Sequence, residues 1–134
     1  MNQKLHFVPV LAALVGLVAL PANAQDKPAA DKPAIEKPKY TTAEIMKTLH
    51  KGNESVGKKV QSGLGTKEDF AKLVEYYGSL PLNEPPEGSA ASWKEKSTAL
   101  LNAAKALHAG QEGALAQYKK AANCKACHDV HRGQ

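Results

Sequence analysis

The sequence predicts an all-α chain folded as an antiparallel four-helix bundle, and three observations predict it. Apolar residues recur at helical spacing in four stretches, and no stretch alternates as a strand would. A capping box at Thr41-x-x-Glu44, a second start at Thr66-x-x-Asp69 and several glycines mark where helices start and stop. Short connections, with one longer crossing, suit four helices laid side by side in alternating directions.

The first helix is expected to begin at Thr41-x-x-Glu44, a pairing that satisfies free N–H groups of the opening turn. Ile45, Leu49, Val56 and Val60 follow at spacings of four and seven, which makes one apolar stripe ending near Gly63-Leu64-Gly65. The second helix starts at Thr66-x-x-Asp69, carries Phe70, Leu73, Val74 and Tyr77, and stops at Gly78. Leu80 to Gly88 contains Pro81, Pro85 and Pro86 and reads as a rigid, exposed connection. The third helix is expected from about Ala90 to His108, with Trp93, Leu100, Ala104 and Leu107 inward and Gly110 as its stop. The fourth is expected from about Gln111 into Cys124-Lys125-Ala126-Cys127-His128, with Leu115, Tyr118 and Ala122 inward.

Two segments precede this domain. Residues 1–24 read as a signal peptide: Lys4 and His6 are basic, Phe7 to Leu20 is almost wholly apolar, and Ala22-Asn23-Ala24 is a cleavage site. The mature chain is then expected to begin at Gln25, in the periplasm. The apolar run is short for a membrane span, so no stable membrane insertion is expected; an uncleaved anchor is the alternative. Residues 25–39 repeat an acidic-Lys-Pro unit every five residues, at Asp26, Asp31 and Glu36. Such a chain has no apolar stripe to bury and reads as a spacer. Residues 40–134 then form one domain, long enough for a single modest core.

The net charge of +5 is spread over scattered lysines. With few aromatics and no recognisable motif, a nucleic-acid partner is not expected. The charge suits an acidic protein partner, with lysine-rich solubility as the better default reading. There is no nucleophile paired with a base, no phosphate loop and no paired carboxylates in an argued pocket, so the chain is not expected to be an enzyme.

The residues that carry chemistry lie near the C-terminus. Cys124-Lys125-Ala126-Cys127-His128 is C-x-x-C-H, the pattern for covalent attachment of a c-type haem, and it uses both cysteines of the chain. On a helix, positions i, i+3 and i+4 share a face, so both thiols and the imidazole point the same way. The thiols can form thioethers to the porphyrin vinyl groups, and His128 can ligate the iron. A redox dithiol belongs in a βαβ setting, which is not seen here. A zinc site completed by His131 would pack four ligands into eight consecutive residues, whereas structural sites usually split theirs into two pairs. Export agrees independently with haem c, which bacteria assemble outside the inner membrane.

A haem motif at the C-terminal end of a four-helix chain resembles the class II c-type cytochromes, the cytochrome c′ family. The matching residues are Cys124-x-x-Cys127-His128-x-x-His131-Arg132, and Ala90-Ala91-Ser92-Trp93-Lys94 resembles the start of the family's third helix. The likeness covers roughly residues 40–134. It implies one covalent haem held by Cys124 and Cys127, with His128 as proximal ligand and Arg132 as a basic haem-edge residue. The family usually has an aromatic residue where this chain has His131, a departure that bears on haem-edge contacts and not on attachment. Family members are often homodimers through their first two helices, and the residues here do not fix the oligomeric state.

The resemblance also locates the sixth iron position on the first helix. Aligning Gly63 with the family's glycine after that helix brings Met46 near the ligand position, and His50 shares its face at i+4. Met46 is thus the expected distal ligand and His50 the alternative. Family members with Met there look like electron carriers; those with an apolar side chain bind nitric oxide or carbon monoxide. The expected function is electron transfer by Fe(II)/Fe(III) cycling, with a redox partner protein docking on a basic rim of Lys119, Lys120, Lys125 and Arg132. The alternative is gas binding at an open or displaceable position walled in part by Ile45, Leu49 and Val56.

Overall fold

A computed structural model describes residues 36–133. The expected signal peptide (1–24) and residues 25–35 of the expected spacer lie outside them. Among the described residues the chain is all-α: six α-helices, one short 3-10 turn and no strand. No helix among them is long and apolar enough to cross a membrane.

The expected first helix is two helices. α1 (Thr42–His50) opens on the foreseen box: Thr41 Oγ1 accepts from the Glu44 N–H at 3.3 Å, and Thr41 N–H donates to Glu44 Oε2 at 2.8 Å. It buries Ile45 and Leu49. The chain then breaks at 51–55, where Gly52 adopts φ +94, and restarts as α2 (Val56–Gln61). Left-handed backbone costs glycine little and other residues more, so Gly52 turns the chain where a helix would have to continue. α2 closes as expected at Gly63 (φ +84): the Gly63 N–H donates to Val60 O and the Leu64 N–H to Lys59 O, a paired C-terminal motif.

α3 (Lys67–Tyr77) starts on the second box, with Thr66 Oγ1 accepting from Asp69 N–H and Asp69 Oδ2 accepting from Thr66 N–H. Lys59 Nζ lies 2.7 Å from Asp69 Oδ2 and ties α2 to this turn. The connection after α3 is not wholly exposed. It begins with a 3-10 turn (Leu80–Leu82), and Leu80 is buried with its carbonyl accepting from Trp93 Nε1–H at 2.9 Å.

α4 (Ala90–His108) is the longest helix, capped by Ser89 and stopped at Gly110 (φ +66). It packs against α3, against the 3-10 turn, and against α5 (Ala114–Ala121). The expected fourth helix breaks at Ala122-Asn123 and resumes as α6 (Cys124–His131). Asn123 is the reason: its side chain accepts from the Ala126 N–H at 3.2 Å, and an Asn that caps a new helix competes with continuing the old one. The core draws on every other helix, with Leu49, Val60, Leu73, Tyr77, Leu107 and Tyr118 buried together.

The N-terminal approach to α1 is pinned. Tyr40 stacks on Tyr76 with ring centroids 4.1 Å apart and planes 11° apart. Its hydroxyl donates to Glu75 Oε1 at 2.6 Å, its N–H donates to Ser79 Oγ, and its carbonyl accepts from Asn83 Nδ2.

Candidate functional site

The Asn123 cap starts α6 one residue before Cys124, so the motif occupies its first five positions. That register sets Cys124, Cys127 and His128 on one side, and all three line a cleft whose main lobe has a volume of about 640 Å³. Small-molecule and cofactor pockets run to roughly 300–1,000 Å³ and are mostly apolar. The floor here is shallow by composition: Ala99, Ala103 and Ala106 of α4 and Ala121 and Ala122 at the end of α5 leave room where larger residues would fill it. A second lobe of about 560 Å³ lies beside it, bordered by Thr42, Lys51, Pro86 and Arg132. Met46, His50, Trp93, Cys127 and His128 line both lobes.

The residues singled out in the sequence therefore separate into groups. The two thiols, His128, Met46 and His50 share one cleft although residues 51–123 lie between α1 and α6. Arg132 borders only the second lobe, and Lys120 only the main one. Lys119 and Lys125 line neither, and Lys125 pairs with Asp129 at 2.7 Å. Ile45, Leu49 and Val56 do not wall the cleft: the first two are fully buried in the core and Val56 packs against it.

Cys124 and His128 are exposed and Cys127 is half-buried. Burial pushes the Cys127 thiol up, nearby Lys96 draws it down, and Cys124 raises it again. His131 is buried and engaged at both ring nitrogens. Nδ1–H donates to the Glu87 carbonyl at 2.9 Å, Nε2 lies 3.1 Å from Ser92 Oγ, and the ring meets Trp93 edge-on. It is thereby withheld from any zinc site with the motif, and among the described residues no three His, Cys, Asp or Glu side chains gather as a metal site. Instead it clasps the loop before α4 to α6. A Cβ at Gly88 (φ +79) would come within 2.8 Å of its Nδ1, so only glycine lets the loop approach so closely.

His50 is held from several sides. Its Nε2 lies 2.9 Å from Tyr77 Oη, its ring stacks on Tyr77 at 5.8 Å, and Tyr77 Oη lies 3.0 Å from Tyr118 Oη. Burial holds the His50 imidazole below its usual range, and His128 adds to this. Burial also raises both phenols, which stay protonated. The sequence marks Tyr77 and Tyr118 as core residues by their spacing, yet nothing in it couples their hydroxyls to His50.

Comparison with protein-family models, characterised proteins and solved structures finds no match for this chain.

Proposed function

We propose that this chain is an exported, periplasmic monohaem c-type cytochrome of the class II kind, acting as an electron carrier. The observation that carries the reading is the shared cleft: two thiols and an imidazole at i, i+3 and i+4 on α6, with Met46 bordering the same space from α1. The donor set fits haem c. Cys124 and Cys127 would each add S–H across a vinyl group, which forms a thioether without an oxidant. His128 would ligate the iron from α6, and the alanine floor would accept a large flat body. The group itself would supply one-electron Fe(II)/Fe(III) chemistry.

The chain's own residues do the rest. Met46 offers a flexible thioether as distal ligand. Arg132 borders the second lobe, where its guanidinium can meet anionic haem-edge groups. Lys96 and Lys120 border the main lobe and contribute positive charge at its mouth, which favours an acidic redox partner. With α1 and α2 taken as one broken helix, and α5 and α6 as another, the arrangement reads as a four-helix bundle with the cofactor between facing helices. The domain would be residues 40–134, preceded by a signal peptide and a spacer.

The test is the full-length gene expressed with cytochrome c maturation machinery. Covalent haem retained under denaturing conditions, lost in Cys124→Ser and Cys127→Ser, is the expected result; a parent chain without covalent haem overturns the reading. Low-spin spectra with a Met-to-iron feature and no response to carbon monoxide are expected of the carrier. High-spin spectra that shift with carbon monoxide would reassign it to gas binding.

A further inference from the structure

Within the cytochrome reading, on which this rests, α1 offers the cleft two residues that can ligate iron, Met46 and His50, one turn apart. The choice between them follows from how each side chain is held. Met46 is half-buried, borders both lobes and has no polar partner. His50 is clamped. Its Nε2 is committed to Tyr77 Oη, and the commitment holds in either sense of the chain of hydroxyls. When Tyr118 donates to Tyr77, the Tyr77 hydroxyl donates to the Nε2 lone pair. When the chain is reversed, Nε2 carries a hydrogen and donates it. In both cases that nitrogen has no free lone pair for a metal.

The opposite edge of the ring is closed as well. A Cβ at Gly57 would come within 2.6 Å of His50 Nδ1 and 2.7 Å of Cε1, so the first turn of α2 sits directly against that edge. The Tyr77 ring that carries the hydroxyl lies nearly parallel to the imidazole, with an interplanar angle of 15°. Releasing Nε2 would cost the buried Tyr77 hydroxyl one of its two partners, leaving it only Tyr118. The break at 51–55 matters here, because it is what turns α2 back so that Gly57 can meet the ring.

We infer that Tyr77, backed by Tyr118 and by Gly57, is a positioning residue that holds His50 off the iron and so reserves the sixth position for Met46. Removing the Tyr77 hydroxyl frees a second nitrogen ligand in the same cleft. Removing the Tyr118 hydroxyl does not, because Tyr77 can still donate to His50.

The experiment uses the haem-loaded full chain in a Met46→Ala background, with spin state read by optical and paramagnetic resonance spectra. Met46→Ala alone is expected to be high-spin and to take carbon monoxide. Met46→Ala with Tyr77→Phe is expected to become low-spin with two nitrogen axial ligands, and adding His50→Ala should return it to high-spin. Met46→Ala with Tyr118→Phe should stay high-spin. A Met46→Ala protein already ligated by His50 overturns the inference, as does a Tyr77→Phe double variant that stays high-spin. Should Tyr77→Phe fail to fold, the reduced, diamagnetic parent decides. A His50 ring nitrogen hydrogen-bonded to a tyrosine hydroxyl is expected, and an iron-bound or unbonded ring overturns the inference. A parent with no covalent haem fails the cytochrome reading and this inference with it, whereas a loaded parent with the wrong spin states fails the inference alone.

Discussion

His131 is buried between α6 and the loop before α4, and its surroundings explain what an imidazole does there that a phenyl ring cannot. It keeps the edge contact with Trp93 and adds two hydrogen bonds, to the Glu87 carbonyl and to Ser92. His131→Phe should preserve the ring contact yet lose both hydrogen bonds, at about 0.5–1.5 kcal/mol for each, since Glu87 is exposed and Ser92 half-buried. His131→Ala should be worse, since it also opens a cavity. Urea titration of the purified variants checks the order: parent, then Phe, then Ala in falling midpoint. At this scale the motif itself was legible, because Cys124, Cys127 and His128 lie within one turn and local spacing alone fixes their common face. The clamp on His50 was not. It joins residues 27 and 41 positions apart, and apolar spacing identifies Tyr77 and Tyr118 only as core.

Among the elements, those with explicit end signals were legible and those broken internally were not. The two capping boxes, the glycine stops at Gly63 and Gly110, and the span of α4 stand where the sequence puts them. The breaks at 51–55 and at Asn123 escaped because the apolar period runs on across both: Leu49 to Val56 is seven residues and Tyr118 to Ala122 is four. A period reports which face is buried and is silent on whether the backbone between two buried residues stays helical. Asn123 gives the second break its strength. Asn123→Ala should cost about 1 kcal/mol of cap energy and lower the melting temperature of the loaded protein by about 4–8 °C. An unchanged melting curve would mean that packing, not the cap, starts α6.

The start of α3 carries a pH dependence. Lys59 first, and then the Thr66 N–H, hold the Asp69 carboxyl below its usual range. A carboxyl with a depressed folded pKa contributes stability above its unfolded value, roughly 3.9. As pH falls below that, the unfolded chain takes up the proton first, and the contribution is lost until the folded pKa is passed. Asp69→Asn should therefore be less stable than the parent near neutral pH and lose less below about pH 4. Parallel denaturant titrations at the two pH values test this, and equal slopes would remove Asp69 from the account.

For the molecule as a whole, the proposed haem would divide what the chain stabilises alone from what it would leave to the cofactor. Leu49, Val60, Leu73, Tyr77 and Tyr118 are packed to full burial without help. The alanine-lined side of α4 faces open space instead, bordered by α6. A native-only ligand raises stability by its binding free energy, and a covalent one cannot dissociate. If the chain carries the proposed haem, the double variant Cys124→Ser/Cys127→Ser should melt well below the parent and lose α6 first, as read by amide exchange. A haem-free chain as stable as the loaded one would count against the cofactor as part of the core.

The stacked Tyr40 bears on mechanics. Its ring, hydroxyl, N–H and carbonyl are all fastened to the C-terminal half of α3, the loop after it, or both, just before α1 begins. A pull on the preceding chain, such as an anchored leader would exert, is then borne by the rivet between Tyr40 and α3. Load taken up there would bypass α1, the wall that carries Met46 and His50.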